Sequence, residues 1–333
     1  MVETVIKENA NTSRRDRLLN LLRIFISLLL LAFIVIKNYK DFSEIYSAIA
    51  GISALLICLA LITHLFMLWL ESILWDILLR GLDVKINRAY LFQAMMVAYF
   101  YNNLLPSNIG GDFFRIYDLA KNRGAPVAKC ASAVFMQRVF GLITITVFFT
   151  ATSFSIYRML KNYIIVIAVF LGIAFVLFTL LAKPSLFKID KLFLKFAKIR
   201  RFWPKIQGFS DAVLSYRNRV PRLLLGLVIN ICCQMLFTVM FYLVSISLGL
   251  DISFMTLAFM VPVIFVLIGI PISIGGLGVR ENVIVFLLLS FGVANEKAVA
   301  FSLIVLFVHI FNAALGGMVY LFRNIFYRSK GFI

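Results

Sequence analysis

Long apolar runs without charge constrain this chain more than any other feature of its sequence. A helix needs about 20 apolar residues to cross the hydrocarbon core of a bilayer. Charged residues make up only 14% of this chain, against about 25% in soluble domains. The sequence therefore predicts an integral membrane protein and not a soluble enzyme. The predicted spans are Leu18–Ile36, Ser47–Leu70, Val139–Tyr157, Asn162–Ala182, Leu223–Leu250 and Ala298–Phe322.

The chain is strongly basic, with 33 Lys+Arg against 15 Asp+Glu and a formal net charge of +18. These bases lie between the apolar runs, where cytoplasmic loops of membrane proteins concentrate Lys and Arg. We therefore expect no nucleic-acid partner, because no basic domain interleaved with aromatic residues is present. The four cysteines show neither a CxxC nor a Cys/His spacing, so we expect no metal site and no cofactor.

Two further regions are apolar but interrupted by polar residues, glycine and proline. Ala89–Gly111 carries three asparagines and a proline, and Ile252–Val279 carries two prolines and three glycines near its end. Broken backbone at membrane depth is tolerated only where it is buried in protein or lines a cavity. We interpret both regions as re-entrant helix–loop–helix elements.

The distribution of loop charges predicts a topology for the whole chain. Residues 1–17 are a cytoplasmic tail, and residues 18–182 form a first membrane half with a re-entrant element at 89–122. Residues 183–222 carry eleven Lys/Arg and only two acids, which indicates a cytoplasmic loop. Residues 223–333 form a second half with a re-entrant element at 252–293. The expected fold is an all-α polytopic bundle with about six full spans, lying in the plasma membrane with both termini cytoplasmic.

The two broken regions contain the same motif. Pro106 to Arg115 and Pro271 to Arg280 both read P-x-x-I-G-G-x-x-x-R, with a constant offset of 165 residues. The charge pattern places the two copies on opposite sides of the membrane. Matching elements that enter from opposite faces are typical of inverted-topology transporters, whose substrate site lies where the broken helices meet. Tight packing of a buried loop is the simpler alternative, but packing alone does not explain the matched arginines.

The motif suggests a site for an anion. A Gly-Gly turn that opens a helix frees backbone N–H groups, which attract negative charge together with the helix dipole. Arg115 and Arg280 could each add a bidentate contact to a phosphate, or could instead satisfy carbonyls of their own loops. Arg138 lies about 13 Å into the next helix, where it either serves the site or extends back to the interface. The candidate substrate-binding residues are Asn102, Asn103, Pro106, Gly110, Gly111, Asp112, Arg115, Arg138, Pro271, Gly275, Gly276, Gly278, Arg280 and Glu281.

Other polar residues in the apolar runs have several interpretations. Asp112 and Glu281 could keep the empty site neutral by pairing with the arginines, or could bind a proton or a cationic head group. Glu71 follows directly after an uncharged run, so we interpret it as interfacial. His64 and His309 show no ligand spacing, so we interpret each as a single buried histidine with its hydrogen bonds satisfied. Residues 183–222 combine bases with apolar residues, a pattern typical of an amphipathic helix on an anionic inner leaflet.

The paired motifs, from Asn102 to Asp112 and from Pro271 to Glu281, resemble the transmembrane region of lysylphosphatidylglycerol synthases and their flippase-like, UPF0104-type relatives. The resemblance covers nearly the whole chain. It implies translocation of an anionic or aminoacylated phospholipid of the phosphatidylglycerol type, or of a polyprenyl-phosphate lipid, between leaflets. Two-part members carry a soluble domain that transfers lysine to phosphatidylglycerol. This chain ends at Ile333, directly after the last predicted span, so we expect no such domain and no enzyme activity.

Two alternatives to a flippase remain at this point. One is an intramembrane enzyme that modifies a lipid phosphate, for which Asp112 and Glu281 are the available carboxylates in the repeats. The other is an accessory subunit for a separate synthase or glycosyltransferase. No P-loop is present in the sequence, so we expect movement of lipid without ATP.

Overall fold

A computed structural model describes residues 41–105, 110–160, 203–269, 273 and 275–329, together with residues 22–23, 25–30, 32–33, 36 and 172. All regular structure in this part of the chain is helical, which confirms the predicted all-α class. The helices are α1 (Phe42–Ala50), α2 (Ala54–Gly81), α3 (Arg88–Leu104), α4 (Gly110–Arg123), α5 (Val127–Leu160), α6 (Trp203–Ser215), α7 (Val220–Ser247), α8 (Phe254–Ile268), α9 (Val279–Ser290) and α10 (Asn295–Ser329).

Four described helical segments are long and apolar enough to cross a bilayer, and each overlaps a predicted span. These segments are Ala54–Gly81, Val127–Thr152, Gln207–Ser247 and Asn295–Arg323. The predicted span Asn162–Ala182 lies outside the described residues except for Gly172, and the described residues of Leu18–Ile36 are helical. The chain is thus a polytopic membrane helix bundle.

Two helix boundaries differ from the predicted ones because the helices include charged residues. The predicted span Ser47–Leu70 is shifted: α2 begins at Ala54 and continues to Gly81. Its last turns carry Asp76, whose side chain is only 1% exposed and pairs with Arg80 and Arg88. Similarly, α5 begins at Val127, twelve residues before the predicted Val139. The length of an uncharged run therefore underestimates the length of such a helix, because paired charged residues extend it.

Each broken region forms two helices separated by a break. The N-terminus of α3 is capped by Asn87, whose side-chain oxygen accepts from the backbone N–H of Ala89 at 2.8 Å. The N-terminus of α8 is capped by Ser253, which accepts from the backbone N–H of Thr256 at 3.1 Å. These caps satisfy backbone donors that a helix start leaves without partners. Each region is therefore helix, break and helix, as predicted, while the membrane face from which it enters stays a prediction.

The internal repeat extends far beyond the ten-residue motif. Helices α2 to α5 begin at residues 54, 88, 110 and 127, and helices α7 to α10 begin at residues 220, 254, 279 and 295. The four offsets are 166, 166, 169 and 168 residues. In addition, α2 and α7 each contain 28 residues. The chain therefore contains two copies of one four-helix unit, which we call repeat 1 (α2–α5) and repeat 2 (α7–α10).

The two repeats run in opposite directions where their first helices pack together. Arg222 donates to the carbonyl of Arg80 at 2.8 Å, and Cys233 contacts the carbonyl of Met67 at 3.9 Å. Further along, Phe237 packs edge-on against His64. Residue numbers rise along α7 while they fall along α2, so these equivalent helices are antiparallel. This is the arrangement expected of an inverted-topology repeat.

The remaining helices pack reciprocally between the repeats. Helix α3 of repeat 1 lies against α10 of repeat 2, and α8 of repeat 2 lies against α5 of repeat 1. Since α3 is equivalent to α8 and α5 to α10, each repeat inserts its broken region against the last helix of the other. A pseudo-twofold relation near the Met67–Cys233 contact accounts for this exchange.

The basic loop is described only from residue 203. There α6 packs against α5, and a 3-10 turn at Tyr216–Arg219 leads into α7. Tyr216 is buried, and its hydroxyl donates to the carbonyl of Leu78 at 3.0 Å. This part of the loop is thus attached to the bundle. The interpretation of residues 183–202 as an amphipathic surface segment concerns residues that the structure does not describe.

The predicted topology can be tested with single cysteines at the far ends of the two broken regions. Lys121→Cys in α4 and Ala294→Cys before α10 are both exposed positions. In a background without the four native cysteines, an impermeant maleimide should label them from opposite sides of sealed vesicles, because inverted repeats face opposite ways. Labelling of both from the same side would contradict the predicted topology.

Candidate functional site

The two breaks meet inside the bundle. Gly275 of the second motif lies against the end of α3 in the first broken region. A methyl group on Gly275 would lie 3.0 Å from the Asn102 carbonyl oxygen and 3.1 Å from Asn103 Cα. Gly275 also has a φ of +55°, a backbone conformation that favours glycine. Gly275 of the second motif is therefore in contact with Asn102 and Asn103 of the first broken region.

A carboxylate bridging two arginines forms the centre of the first motif. Asp112 Oδ1 pairs with Arg115, and Asp112 Oδ2 accepts from Arg138 Nε at 2.8 Å and Nη2 at 2.7 Å. The Asp112 and Arg115 side chains are only 8% and 7% exposed, whereas that of Arg138 is 56% exposed. One carboxylate thus shares its two oxygens between a buried and an accessible guanidinium.

Neighbouring side chains hold Arg115 in place. Its Nη1 donates to Gln137 Oε1 at 2.7 Å, and its guanidinium lies 5.1 Å from the centre of the Trp75 ring. Gln137 in turn donates to the carbonyl of Glu71 at 3.1 Å. Asp112, Arg115 and Arg138, together with Gln137 and Glu71, are called the Asp112 cluster below.

The second motif pairs its own arginine and acid. Glu281 is fully buried, and its Oε1 accepts from Arg280 Nε at 2.9 Å. Its Oε2 accepts from the backbone N–H of Gly278 at 2.6 Å, closing the start of α9. Gly276 and Gly278 both have positive φ values, of +77° and +80°. Three glycines in left-handed conformations therefore turn the chain tightly before α9.

The backbone donors of the motifs differ from the expectation of a free anion site. The N–H of Gly111 donates to Asn102 Oδ1 at 2.8 Å, and the N–H of Gly278 is taken by Glu281. Gly110 and Gly111 lie within the first turn of α4, whereas Gly275 and Gly276 lie in a turn before α9. In each motif, one backbone N–H that was expected to be available to an anion thus donates instead to a side chain of the same repeat.

The remaining predicted residues are placed as follows. Asn103 donates to the carbonyl of Tyr99 at 2.9 Å and so stays in the last turn of α3. Pro106 and Pro271 lie outside the described residues. Of the two interpretations of the acids, the structure gives the pairing with the arginines in both repeats. The role of these residues in binding substrate stays a prediction.

Sequence reasoning missed several residues of the site. Glu71 was interpreted as interfacial, but its backbone carbonyl accepts from Gln137 in the Asp112 cluster. Gln137 and Trp75, which both contact Arg115, were not predicted as site residues. One signal was available, because Gln137 directly precedes Arg138 in an otherwise apolar helix.

The interpretation of the two histidines as separate and satisfied was wrong. His64 of α2 and His309 of α10 have ring centroids 5.0 Å apart, and the Tyr99 hydroxyl lies between them. It hydrogen-bonds His309 Nδ1 and lies 3.5 Å from His64 Nε2. The other two ring nitrogens, His64 Nδ1 and His309 Nε2, are buried without a partner among the described residues. The two histidines are 245 positions apart in the sequence, so no local spacing pointed to their contact.

Close helix contacts support both sides of α3. A methyl group on Gly111 would lie 2.2 Å from the carbonyl oxygen of Ala98, and one on Gly316 would lie 2.1 Å from that of Met96. Gly111→Ala and Gly316→Ala should each lower the free energy of unfolding by about 1–3 kcal/mol, since overpacking must separate the helices. Thermal unfolding of the purified protein in detergent measures this effect.

Gly141 provides the matched control, because a methyl group there would meet nothing within 4 Å. Gly141→Ala in α5 should leave the unfolding temperature unchanged or slightly higher. If Gly111→Ala and Gly316→Ala unfold at the same temperature as this control, α3 does not make the close contacts described.

Within the described ranges, no group of three or more His, Cys, Asp or Glu side chains could hold a metal ion. The arrangement instead consists of arginines that pair with buried carboxylates, together with a buried pair of imidazoles.

Comparison with known proteins gives this membrane bundle its family. The family described as "Lysylphosphatidylglycerol synthase TM region" matches residues 20–316, and the chain belongs to that family. A UPF0104 membrane protein of Methanothermobacter thermautotrophicus is 24% identical, covering 91% of this chain and 92% of its own length. A UPF0104 membrane protein of Methanocaldococcus jannaschii is 23% identical, covering 83% and 88%. No solved structure gives a significant match.

Proposed function

We propose that this protein moves an anionic phospholipid, or a polyprenyl-phosphate lipid, between the two leaflets of its membrane. One observation carries the proposal above all. Arg138 is an accessible cation that shares a buried carboxylate with a second arginine. A lipid phosphate and the Asp112 carboxylate each present a pair of oxygens that can accept two parallel hydrogen bonds from a guanidinium.

Exchange of partners gives the site a way to bind and release phosphate. In the empty protein, Asp112 accepts two hydrogen bonds from Arg138. An incoming phosphate takes over the Arg138 fork, while Asp112 keeps Arg115. The buried pair stays neutral throughout, so the lipid enters without leaving an isolated charge in the bundle. Release is the reverse exchange, which prevents the phosphate from binding too tightly to leave.

The inverted repeat supports transport over enzymatic modification. In such folds one repeat rocks against the other around a site near the middle of the membrane. The Asp112 cluster lies in repeat 1 and contacts the end of α3, against which the turn of repeat 2 packs. Both acids of the motifs are engaged by arginines, which does not suit a general base or a nucleophile that must be available to react.

Family membership supports the lipid as the class of substrate. The family is described by the transmembrane region of lysylphosphatidylglycerol synthases, whose name refers to an aminoacylated anionic phospholipid. Within this proposal, the plasma membrane is the location, both termini are cytoplasmic, and the basic loop at 183–222 contacts anionic inner-leaflet lipid. A separate synthase or glycosyltransferase would supply the lipid.

Reconstitution tests the proposal directly. Purified protein in liposomes should make fluorescent phosphatidylglycerol in the inner leaflet accessible to an impermeant quencher without ATP. Phosphatidylcholine with the same label should move more slowly, since its head group carries no net negative charge. Equal rates for protein-containing and empty vesicles would reject lipid translocation.

A further inference from the structure

The buried cluster of His64, Tyr99 and His309 has a composition that the lipid site does not explain. Its members come from three helices, α2, α3 and α10, of which two belong to repeat 1 and one to repeat 2. His64 and His309 are 1% and 6% exposed. Polar groups buried at membrane depth are expensive and mark ion pathways or binding sites more often than they support packing.

The three side chains of this cluster can hold one proton more than they carry when both imidazoles are neutral. Two neutral imidazoles and a tyrosine hydroxyl carry three N–H or O–H protons. If His309 Nδ1–H donates to the Tyr99 oxygen, the Tyr99 hydroxyl can donate to His64 Nε2, as the geometry allows. His309 Nε2 is then a buried lone pair that accepts nothing from any described residue. The opposite tautomer leaves an N–H in the same position without an acceptor.

We infer that the His64–Tyr99–His309 cluster binds a proton that travels with the anionic lipid, which makes the protein a proton–lipid symporter. This inference rests on the proposed function. The proton adds to a ring nitrogen of the histidine pair, and Tyr99 shares the added positive charge by hydrogen bonding. The proton leaves from the same nitrogen when the site faces the other side.

Surrounding charges link the proton to the lipid. Glu71 follows His64 by seven residues in α2, and its backbone carbonyl accepts from Gln137, whose own side-chain oxygen accepts from Arg115. Helix α9, which carries the buried Arg280, packs against α10, which carries His309. A proton on the imidazoles is repelled by Arg280, whereas an anionic phosphate bound nearby offsets that repulsion. Each ligand therefore favours the other, and the coupling is reciprocal.

The other helices around the cluster enclose it with uncharged groups. Helix α7 contributes Phe237, whose ring contacts both histidines, and Phe265 of α8 packs on Phe237 at a centroid distance of 4.8 Å. Helix α3 adds Asn103 beside Tyr99. This apolar cover limits exchange with solvent, so a proton on the cluster is retained while the repeats change position.

The first experiment measures proton uptake without transport. Protein in weakly buffered detergent receives short-chain phosphatidylglycerol, and a pH indicator records the change. The wild type should take up about one proton per bound lipid, as reciprocal coupling requires. The double variant His64→Gln/His309→Asn keeps amide groups near the positions of the two bonded nitrogens but lacks an imidazole, and it should take up none. Absence of uptake by the wild type overturns the inference.

The second experiment measures the electrical character of transport in liposomes. A singly charged lipid moving with one proton carries no net charge, so an imposed potential of 100 mV should not change its distribution. Moving the lipid alone would shift the distribution about 50-fold at that potential. A pH difference of one unit should instead give about a tenfold difference between leaflets in the wild type.

The matched variants identify the residues responsible. His64→Gln/His309→Asn should lose the response to pH, and Tyr99→Phe should weaken it, whereas Ser302→Ala on the same face of the buried α10 should behave as wild type. Ser302 is fully buried, and its hydroxyl donates to the carbonyl of Val299 in the same helix at 2.8 Å. Wild-type transport that follows the potential and ignores pH would reject the symport while leaving lipid translocation intact. No transport at all would reject the proposed function, and the uptake measurement would then decide whether the cluster binds a proton.

Discussion

Arg138→Ala should reduce translocation of phosphatidylglycerol by about 10- to 100-fold while the protein stays folded. A hydrogen bond to a charged group contributes about 1.5–3 kcal/mol, and the alanine variant loses the fork that would hold the phosphate. Asp112 keeps its buried partner Arg115, so no carboxylate is left alone in the bundle. Dithionite quenching of a labelled lipid in proteoliposomes gives the rate, and thermal unfolding in detergent gives the stability.

Arg138→Lys and Arg80→Ala are the controls for this prediction. Lysine retains the charge without the planar fork, so it should transport at an intermediate rate. Arg80 is a partly exposed arginine whose acid, Asp76, keeps a second partner in Arg88. It resembles Arg138 in pairing but lies outside the Asp112 cluster, and its replacement should leave transport near normal. If Arg138→Ala and Arg80→Ala both transport at the wild-type rate, the proposed phosphate site is wrong.

Glu281→Ala should destabilise the protein more than any other single change considered, by about 3–5 kcal/mol. Removing one partner of a buried pair leaves the other charge without compensation. Arg280 is only 5% exposed on its side chain and depends on this carboxylate, which also holds the N–H of Gly278. Loss of the monodisperse species in size-exclusion chromatography, together with a lower unfolding temperature, is the expected result.

A second variant separates the ion pair from the turn. Glu281→Gln keeps one side-chain oxygen, which can still accept from the Gly278 N–H, but it removes the charge and the second acceptor, so its effect should be smaller than that of alanine. Glu296→Ala provides a comparison in the first turn of α10, since this acid is partly accessible to solvent. It should change stability by less than about 0.5 kcal/mol. Equal stability of Glu281→Ala and Glu296→Ala would show that Arg280 does not need its partner.

The sequence predicted the features that depend on residues close together in the chain. Uncharged runs gave the apolar helices, and the P-x-x-I-G-G-x-x-x-R pattern gave the equivalence of the two broken regions, because both signals are local. Helix ends were predicted less well. Paired charges such as Asp76 with Arg80 continue a helix that hydropathy alone would end.

Local sequence patterns could not predict contacts between segments that are far apart in the chain. Nothing near His64 indicates that His309 lies beside it, and nothing near Asp112 indicates that Arg138 is its partner and not a residue extending to the interface. Equally, the sequence left open whether Arg115 and Arg280 contact a phosphate or satisfy carbonyls of their own loops. The structure buries both against their own acids, since an unpaired guanidinium inside an apolar bundle is costly.

The antiparallel pairing of α2 with α7 has an energetic consequence. Two arrangements that interchange the roles of repeat 1 and repeat 2 would use the same kinds of contacts on opposite sides of the Met67–Cys233 centre. Their free energies would be equal if the repeats were identical, and only residues without a counterpart can favour one arrangement. Asp112 corresponds to Leu277, and the positions equivalent to Arg138 are the apolar residues 303–306. The charges proposed to bind lipid are thus among the residues that make the two arrangements unequal in free energy, and a ligand that binds one arrangement more tightly would shift the population toward it.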